Sequence, residues 1–264
     1  MQIESLDAAM CVLPRWPGLY GWEVPDGWQQ GRGAYGGLSF GALAAAMIQA
    51  EPDEDRPLRA FTAELPGPAL VGATDIQVTE LRRGTGMSTW EATARQVSGI
   101  CGRATGIFGR TRPDTHPWAP ERPVAPPWTA LEPVYIGPPI APTFARFFEY
   151  RPVAGFPFSG GAAPETITWV GPKVRVARIG AVELLAWVDA VWPSSFVVER
   201  APRPIATVSF QAQLFPVTLD PAEPLLYRAR TVASQAGFML ELRELWSPAG
   251  ELVVLNQQTI VNIR

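Results

Sequence analysis

One histidine, two cysteines and a charged fraction of 18% leave few conventional catalytic groups in this 264-residue chain. His116 lies in TRPDTHPWAP, among prolines that favour extended, exposed backbone. A His-dependent triad, a two-His metal site or a His-based dehydratase would have to use this residue alone, so those classes lose most of their weight. Cys11 and Cys101 are too few for a disulfide framework or a four-ligand zinc site, which fits a reducing compartment. The net charge of -3 provides no basic field for nucleic acid or an anionic membrane. No apolar run approaches the roughly 18–20 residues of a spanning helix, and Glu4 and Asp7 stand where a leader would carry basic residues. The expectation is a soluble, cytoplasmic protein that binds neither nucleic acid nor membrane.

What is present is core material: hydrophobic residues make up 47% of the chain. Residues 1–30 include WPGLYGWEVPDGW, read as a strand with turns at both ends. The glycines of GRGAYGGLSFGALAAAMIQAE give way to an Ala-rich segment, which predicts a helix from Gly37 to Gln49. Strands follow at 59–65, 74–81, 88–97 and 102–109, with Ile76 and Val78, then Trp90, Ala92 and Ala94, on one side of a period-2 pattern. Ten prolines crowd residues 111–143, an extended, semi-rigid linker and the natural boundary. Beyond it the pattern returns: a strand at 145–153, a helix at 180–192, and strands at 206–215, 225–234, 238–246 and 251–261, the last two joined by SPAG. The chain therefore reads as an α+β duplication, with repeats at 1–110 and 144–264 around the linker.

GAVELLAWVDAVW is apolar almost all the way round, so the second helix should be buried with Asp189 inside it. A carboxylate placed there loses hydration and must gain partners or a proton. Asp189 is thus either a satisfied structural group or a working acid/base.

A central helix wrapped by an antiparallel sheet and duplicated in one chain is the double hotdog arrangement. Over nearly its whole length the sequence resembles the thioesterase II (TesB-type) family of acyl-CoA thioesterases. AYGGLSFGALAAA is similar to the family's Gly-Gly segment opening the first helix, and TELRRGTGMSTWEATARQ to its strand–turn–strand. LLAWVDAVWP resembles the helix bearing the catalytic Asp, PIATVSFQ the strand bearing Ser or Thr, and PAGELVVLNQQ the hairpin bearing Gln. The resemblance implies an acyl-CoA substrate, no cofactor or metal, and a site made of Asp189, Thr207 and Gln258. Gln257 remains a rival for the last position, because strand alternation sets it with Val253, Leu255 and Val261. Such a trio would direct a water at the thioester carbonyl, while backbone amides near Gly36 and Gly37 polarise it.

Several features carry competing readings. Gly37-Leu38-Ser39-Phe40-Gly41 matches the G-x-S-x-G nucleophile elbow, but the strand–helix alternation and late His of that class are missing. Arg82 and Arg83 are candidates for the phosphates of coenzyme A, against simple solvation. Trp187 and Trp192 flank Asp189 and are candidates to line an acyl pocket. Cys101 reads as a small core residue. A non-catalytic acyl-CoA or aromatic-ligand binding protein of the same fold is the rival to the enzyme. Sheet faces and edges leave room for a homodimer or higher homo-oligomer.

Overall fold

The computed structural model describes residues 5–113 and 116–263. A short helix α1 (Leu6–Ala9) leads into β1 (Val12–Trp16) and β2 (Leu19–Val24), then the two-residue strands β3 (Gln29–Gln30) and β4 (Gly33–Ala34). The expected single N-terminal strand is a hairpin, because Gly18 takes a positive φ of 74° and folds the chain back at Pro17-Gly18. Helix α2 (Gly36–Ala50) follows, extending one residue beyond the predicted 37–49 at either end. Tyr35 lies at its start, and it stops before Pro52, which disfavours helical backbone at the residue preceding it. Its face is apolar nearly all round because β5 (Leu58–Glu64), β6 (Gly72–Arg83), β7 (Met87–Gln96) and β8 (Gly99–Gly109) curl about it. Ile76, Val78, Trp90, Ala92 and Ala94 point inward, as the alternation predicts.

The second half repeats this order with β9 (Phe148–Ala154), β10 (Glu165–Pro172), α3 (Ala181–Trp187), β11 (Ile205–Leu214), β12 (Leu225–Gln235), β13 (Phe238–Trp246) and β14 (Leu252–Asn262). The Glu183 carboxylate accepts from the Gly180 amide at 2.8 Å and so satisfies a donor at the start of α3. All the longer strands join one twelve-stranded sheet in the order β1-β2-β6-β7-β8-β5-β11-β14-β13-β12-β10-β9. The halves meet where β5 pairs antiparallel with β11, from Ser209 opposite Glu64 to Gln213 opposite Ala60. Inside the curve, α2 and α3 pack against each other, Gly37 against Ala186 and Gly41 against Val182. This is the double hotdog.

The Pro-rich segment is extended, with one 3-10 turn at Trp128–Ala130 and another at Thr143–Phe147. It wraps the β9 side of the sheet. Ala125, Trp128 and Leu131 lie on a second apolar cluster built from Trp169, Leu226, Trp246 and Leu252. Val134 then bridges to Tyr150 on β9, and Ile136, Ala141 and Phe144 turn inward toward the ends of the helices.

Candidate active site

Helix α3 ends at Trp187, short of the predicted 192, so Asp189 sits in the turn just beyond it. Val188 still donates to the Leu184 carbonyl at 3.0 Å, but Asp189 and Ala190 donate to Ala186 and Trp187 at 3.2 and 3.1 Å, and the last turn tightens. Side chains capture the carbonyls that a longer helix would use. Tyr35 Oη donates to Ala186 at 3.4 Å, Arg243 Nη1 to Val188 at 3.3 Å and Tyr150 Oη to Ala190 at 2.9 Å. Pro193 further biases Trp192 toward extended backbone.

The structure brings Asp189, Thr207 and Gln258 together. Gln258 Nε2 donates to Asp189 Oδ1 at 2.8 Å, and Thr207 Oγ1 donates to Gln258 Oε1 at 3.0 Å. Gln258 Nε2 also reaches Asn256 Oδ1 at 3.1 Å, and Asn256 Nδ2 donates to the Gln211 carbonyl at 2.8 Å, which fixes the orientation of both amides. On β14 the inward face is Val254, Asn256, Gln258 and Ile260, whereas Gln257 is exposed on the other face. On β11 the register slips between Thr207 and Ser209, a bulge that re-aims the strand beside the site.

Gly36 and Gly37 open α2 directly against this carboxylate. A Cβ on Gly36 would lie 2.8 Å from Asp189 Oδ2, and the Gly37 amide beside it favours the ionised form of the same carboxylate. Desolvation raises the Asp189 pKa, while Arg243, Gln258 and the Gly37 amide oppose that rise.

Two residues of β13 that sequence reasoning passed over complete the cluster. Arg243 Nη1 meets Asp189 Oδ1 at 2.9 Å, and Arg243 Nε meets Glu241 Oε1 at 2.7 Å. Glu241 Oε2 accepts from the Ser194 amide and hydroxyl, each at 2.6 Å. Their signal was the shared parity of Met239, Glu241, Arg243 and Leu245.

Two pockets meet at Gln30, Pro142, Ile205 and Thr207. The inner one, about 90 Å³, contains Asp189 and Arg243 and is walled by Ile136, Phe144, Val191 and Trp192. The outer one, about 600 Å³, runs past Gly36 and the 65–69 loop, with Arg32 and Arg203 on its walls. Trp192 therefore lines the site. Trp187, two residues before Asp189 and so on the far side of the helix, donates to the Val170 carbonyl at 2.8 Å and borders a separate hollow beside Lys173.

The structure does not bring Arg82 and Arg83 to this site. Arg83 pairs with Glu51 at 2.7 Å, immediately after the C-terminus of α2. The fifteen-residue helix puts about 20 Å between Glu51 and the Gly36 end, and Arg82 is exposed on the same strand end. Ser39 is buried in α2 on the wall of the outer pocket, and the lone His116 is exposed in the linker, so no elbow forms. Cys101 is buried, and desolvation raises its thiol pKa. Among the described residues, no three His, Cys, Asp or Glu side chains group to hold a metal ion.

The profile of the acyl-CoA thioesterase N-terminal domain matches residues 24–109, and that of the acyl-CoA thioesterase C-terminal domain matches residues 113–261. The chain belongs to the acyl-CoA thioesterase family. As a member it is a thioester hydrolase, and the family's substrates are acyl-CoA thioesters. The fold is similar to that of a hot dog fold protein of unknown function from Alicyclobacillus acidocaldarius, at a TM-score of 0.88 and 21% identity over 98% of both chains. It is also similar to the tesB protein of Mycobacterium avium subsp. paratuberculosis, at 0.81 and 18% over 98% of both chains. The acyl-CoA thioesterase II TesB2 of Mycobacterium marinum superposes at 0.77 with 16% identity, again over 98% of both. A search of curated protein sequences gives no match. Among the described residues, no helix is long and apolar enough to cross a membrane.

Proposed function

We propose that this thioesterase hydrolyses acyl-CoA at the junction of the two pockets, with Asp189, Thr207 and Gln258 directing the attacking water. The observation that carries the reading is the hydrogen-bonded chain Thr207–Gln258–Asp189 set against the N-terminus of α2. Gln258 spends both ends of its amide on its neighbours and thereby aims Asp189 and Thr207. Asp189 Oδ2 takes a proton as the water oxygen bonds to the thioester carbonyl carbon. The first-turn amides at Gly36 and Gly37, at the positive end of the helix, stabilise the oxyanion. The C–S bond then breaks and the proton passes to the departing sulfur, leaving free acid and coenzyme A.

The acyl group occupies the inner pocket against Trp192, and the phosphate-bearing arm lies in the outer groove beside Arg32 and Arg203. The two repeats, 1–110 and 144–264, act as one unit: the first supplies the helix terminus, the second the three side chains, and the 111–143 segment a wall. Thiol release from a panel of acyl-CoAs, parent against Asp189→Asn, tests the reading. The variant is expected to keep its circular dichroism and lose on the order of 10²-fold or more in kcat/KM. A folded parent inactive on every acyl-CoA, or a variant as active as the parent, overturns it.

A further inference from the structure

Asp189, Arg243 and Glu241 form a buried row of two carboxylates around one guanidinium. Their exposures are 8, 2 and 0%. At that depth an unpaired charge is costly, and each member here is matched at hydrogen-bond distance. Arg243 grips through two different atoms: Nη1 holds Asp189 Oδ1 and the Val188 carbonyl, while Nε holds Glu241. Glu241 is in turn anchored by the Ser194 amide and hydroxyl in the 3-10 turn Ser194–Val197, and by Thr231 of β12 at 3.3 Å. The guanidinium is thus locked from behind and presents one fixed donor to the carboxylate. With Oδ1 shared between Arg243 and Gln258, only Oδ2 is turned toward Gly36.

We propose that Arg243, held by Glu241, is a positioning residue for thioester hydrolysis: it fixes the rotation of the Asp189 carboxylate, leaves Oδ2 to the water, and sets a positive charge against the group. The inference rests on Asp189 being the proton acceptor. Every element packed on Asp189 contributes to its setting. Tyr35 stands ahead of α2, Tyr150 on β9, Tyr227 on β12, Glu241 and Arg243 on β13, Asn256 and Gln258 on β14, and Thr207 on β11. Burial pushes the pKa of all three tyrosines up, so they stay neutral where a carboxylate titrates. Glu241 adds negative charge, so among the described residues Arg243 is the cation that opposes protonation of Asp189.

Removing the guanidinium raises the pKa of Asp189 further, so activity that needs the ionised form appears at higher pH. The pH profile of kcat/KM for acyl-CoA hydrolysis, with the parent beside Arg243→Met and Arg243→Lys, reads this directly. In Arg243→Met the acid limb is expected to move up by about one to three pH units, with much of the lost rate returning at alkaline pH and KM little changed. Arg243→Lys, which keeps the charge but not the two-pronged grip, should leave the limb near the parent's and lower kcat. An unmoved limb in a folded Arg243→Met overturns the proposal. If that variant does not fold, the Lys variant decides, and parental kcat or a shifted limb in it overturns the proposal equally. A parent without turnover sinks the Asp189 reading itself, and with it this inference; an active parent whose limb ignores Arg243 sinks only the second.

Discussion

Gly36 and Gly37 are neighbours with different duties. A methyl at Gly36 would meet the ends of side chains: Asp189 Oδ2 at 2.8 Å, Phe40 Cε2 at 3.2 Å and Leu65 Cδ1 at 3.4 Å. A methyl at Gly37 would meet backbone, the Ala186 carbonyl oxygen at 2.6 Å and its Cα at 2.9 Å, as well as Tyr35 Cε2 at 2.5 Å. Side-chain tips can swing aside, whereas helix backbone cannot. Gly36→Ala is therefore expected to fold with a near-parental melting temperature but displace the carboxylate, losing on the order of 10²-fold in rate. Gly37→Ala should force α2 and α3 apart and cost about 1–3 kcal/mol of stability. Thermal denaturation beside thiol release separates the two, and equal loss of stability in both would refute the division of labour. At this scale the sequence was legible where a residue type and its order in the chain carried the resemblance, as for Asp189, Thr207 and Gln258. Arg243 and Glu241 escaped because FMLELRELW alternates two faces that are both apolar. Leu240 and Leu242 make as good a core face on paper as Met239 and Leu245, and only the packing against α3 chooses between them.

Helix α2 is pinned at its far end by Glu51, whose carboxylate takes Arg83, the Ser88 hydroxyl, the Trp90 indole at 2.9 Å and the Asp53 amide at 3.1 Å. Burial alone would raise the pKa of Glu51, but these partners hold it at about 2. The folded value lies below the ordinary glutamate value of roughly 4.3, so this contribution to stability is fully present above that pH and is lost as pH falls toward 2. Parental stability should decline across that window. Glu51→Gln should flatten the decline and cost on the order of 1–2 kcal/mol near neutrality, since solvent screens a partly open pair. Urea midpoints measured between pH 2 and 7 check it, and an unchanged pH slope in the variant would count against the assignment. The same pairing places Arg83 at the end of the helix away from Gly36, and a pair of arginines in a strand end says nothing in sequence about which end of the helix it will face. The length of α3 was hidden for a related reason. Its apolar run continues through Val191, and the tyrosines and the arginine that take its carbonyls lie far away in sequence.

Both halves of the molecule depend on the β5–β11 pairing, backed by Phe40, Phe61 and Phe210, whose rings pack 4.1 to 6.2 Å apart. A seam of main-chain bonds and buried aromatics argues for one cooperative unfolding transition. Circular dichroism and tryptophan fluorescence should report coincident curves. Phe210→Ala, which empties the seam, should cost about 3–5 kcal/mol, and separate transitions in the parent would show the halves to be independent. The duplication was readable from the order and period of the elements. The seam was not, because either edge of each sheet was free to pair. Nor was the path of the linker: proline density showed extension, while its docking on Trp169 and Trp246 depends on a surface formed only after the second sheet exists.

That path leaves the molecule with two unlike rims. At β9 the outer side is occupied by the chain's own 128–134 stretch, with Arg151 donating to the carbonyls of Trp128 and Leu131 and Val134 bridged to Tyr150. At β1, five residues interrupted by Pro14 carry Leu13 and Trp16 outward. Lateral growth of a sheet into a fibre requires each copy to offer a socket and a plug. With part of the β9 rim covered by the protein's own chain, a strand added from outside would meet an obstacle there that β1 does not present.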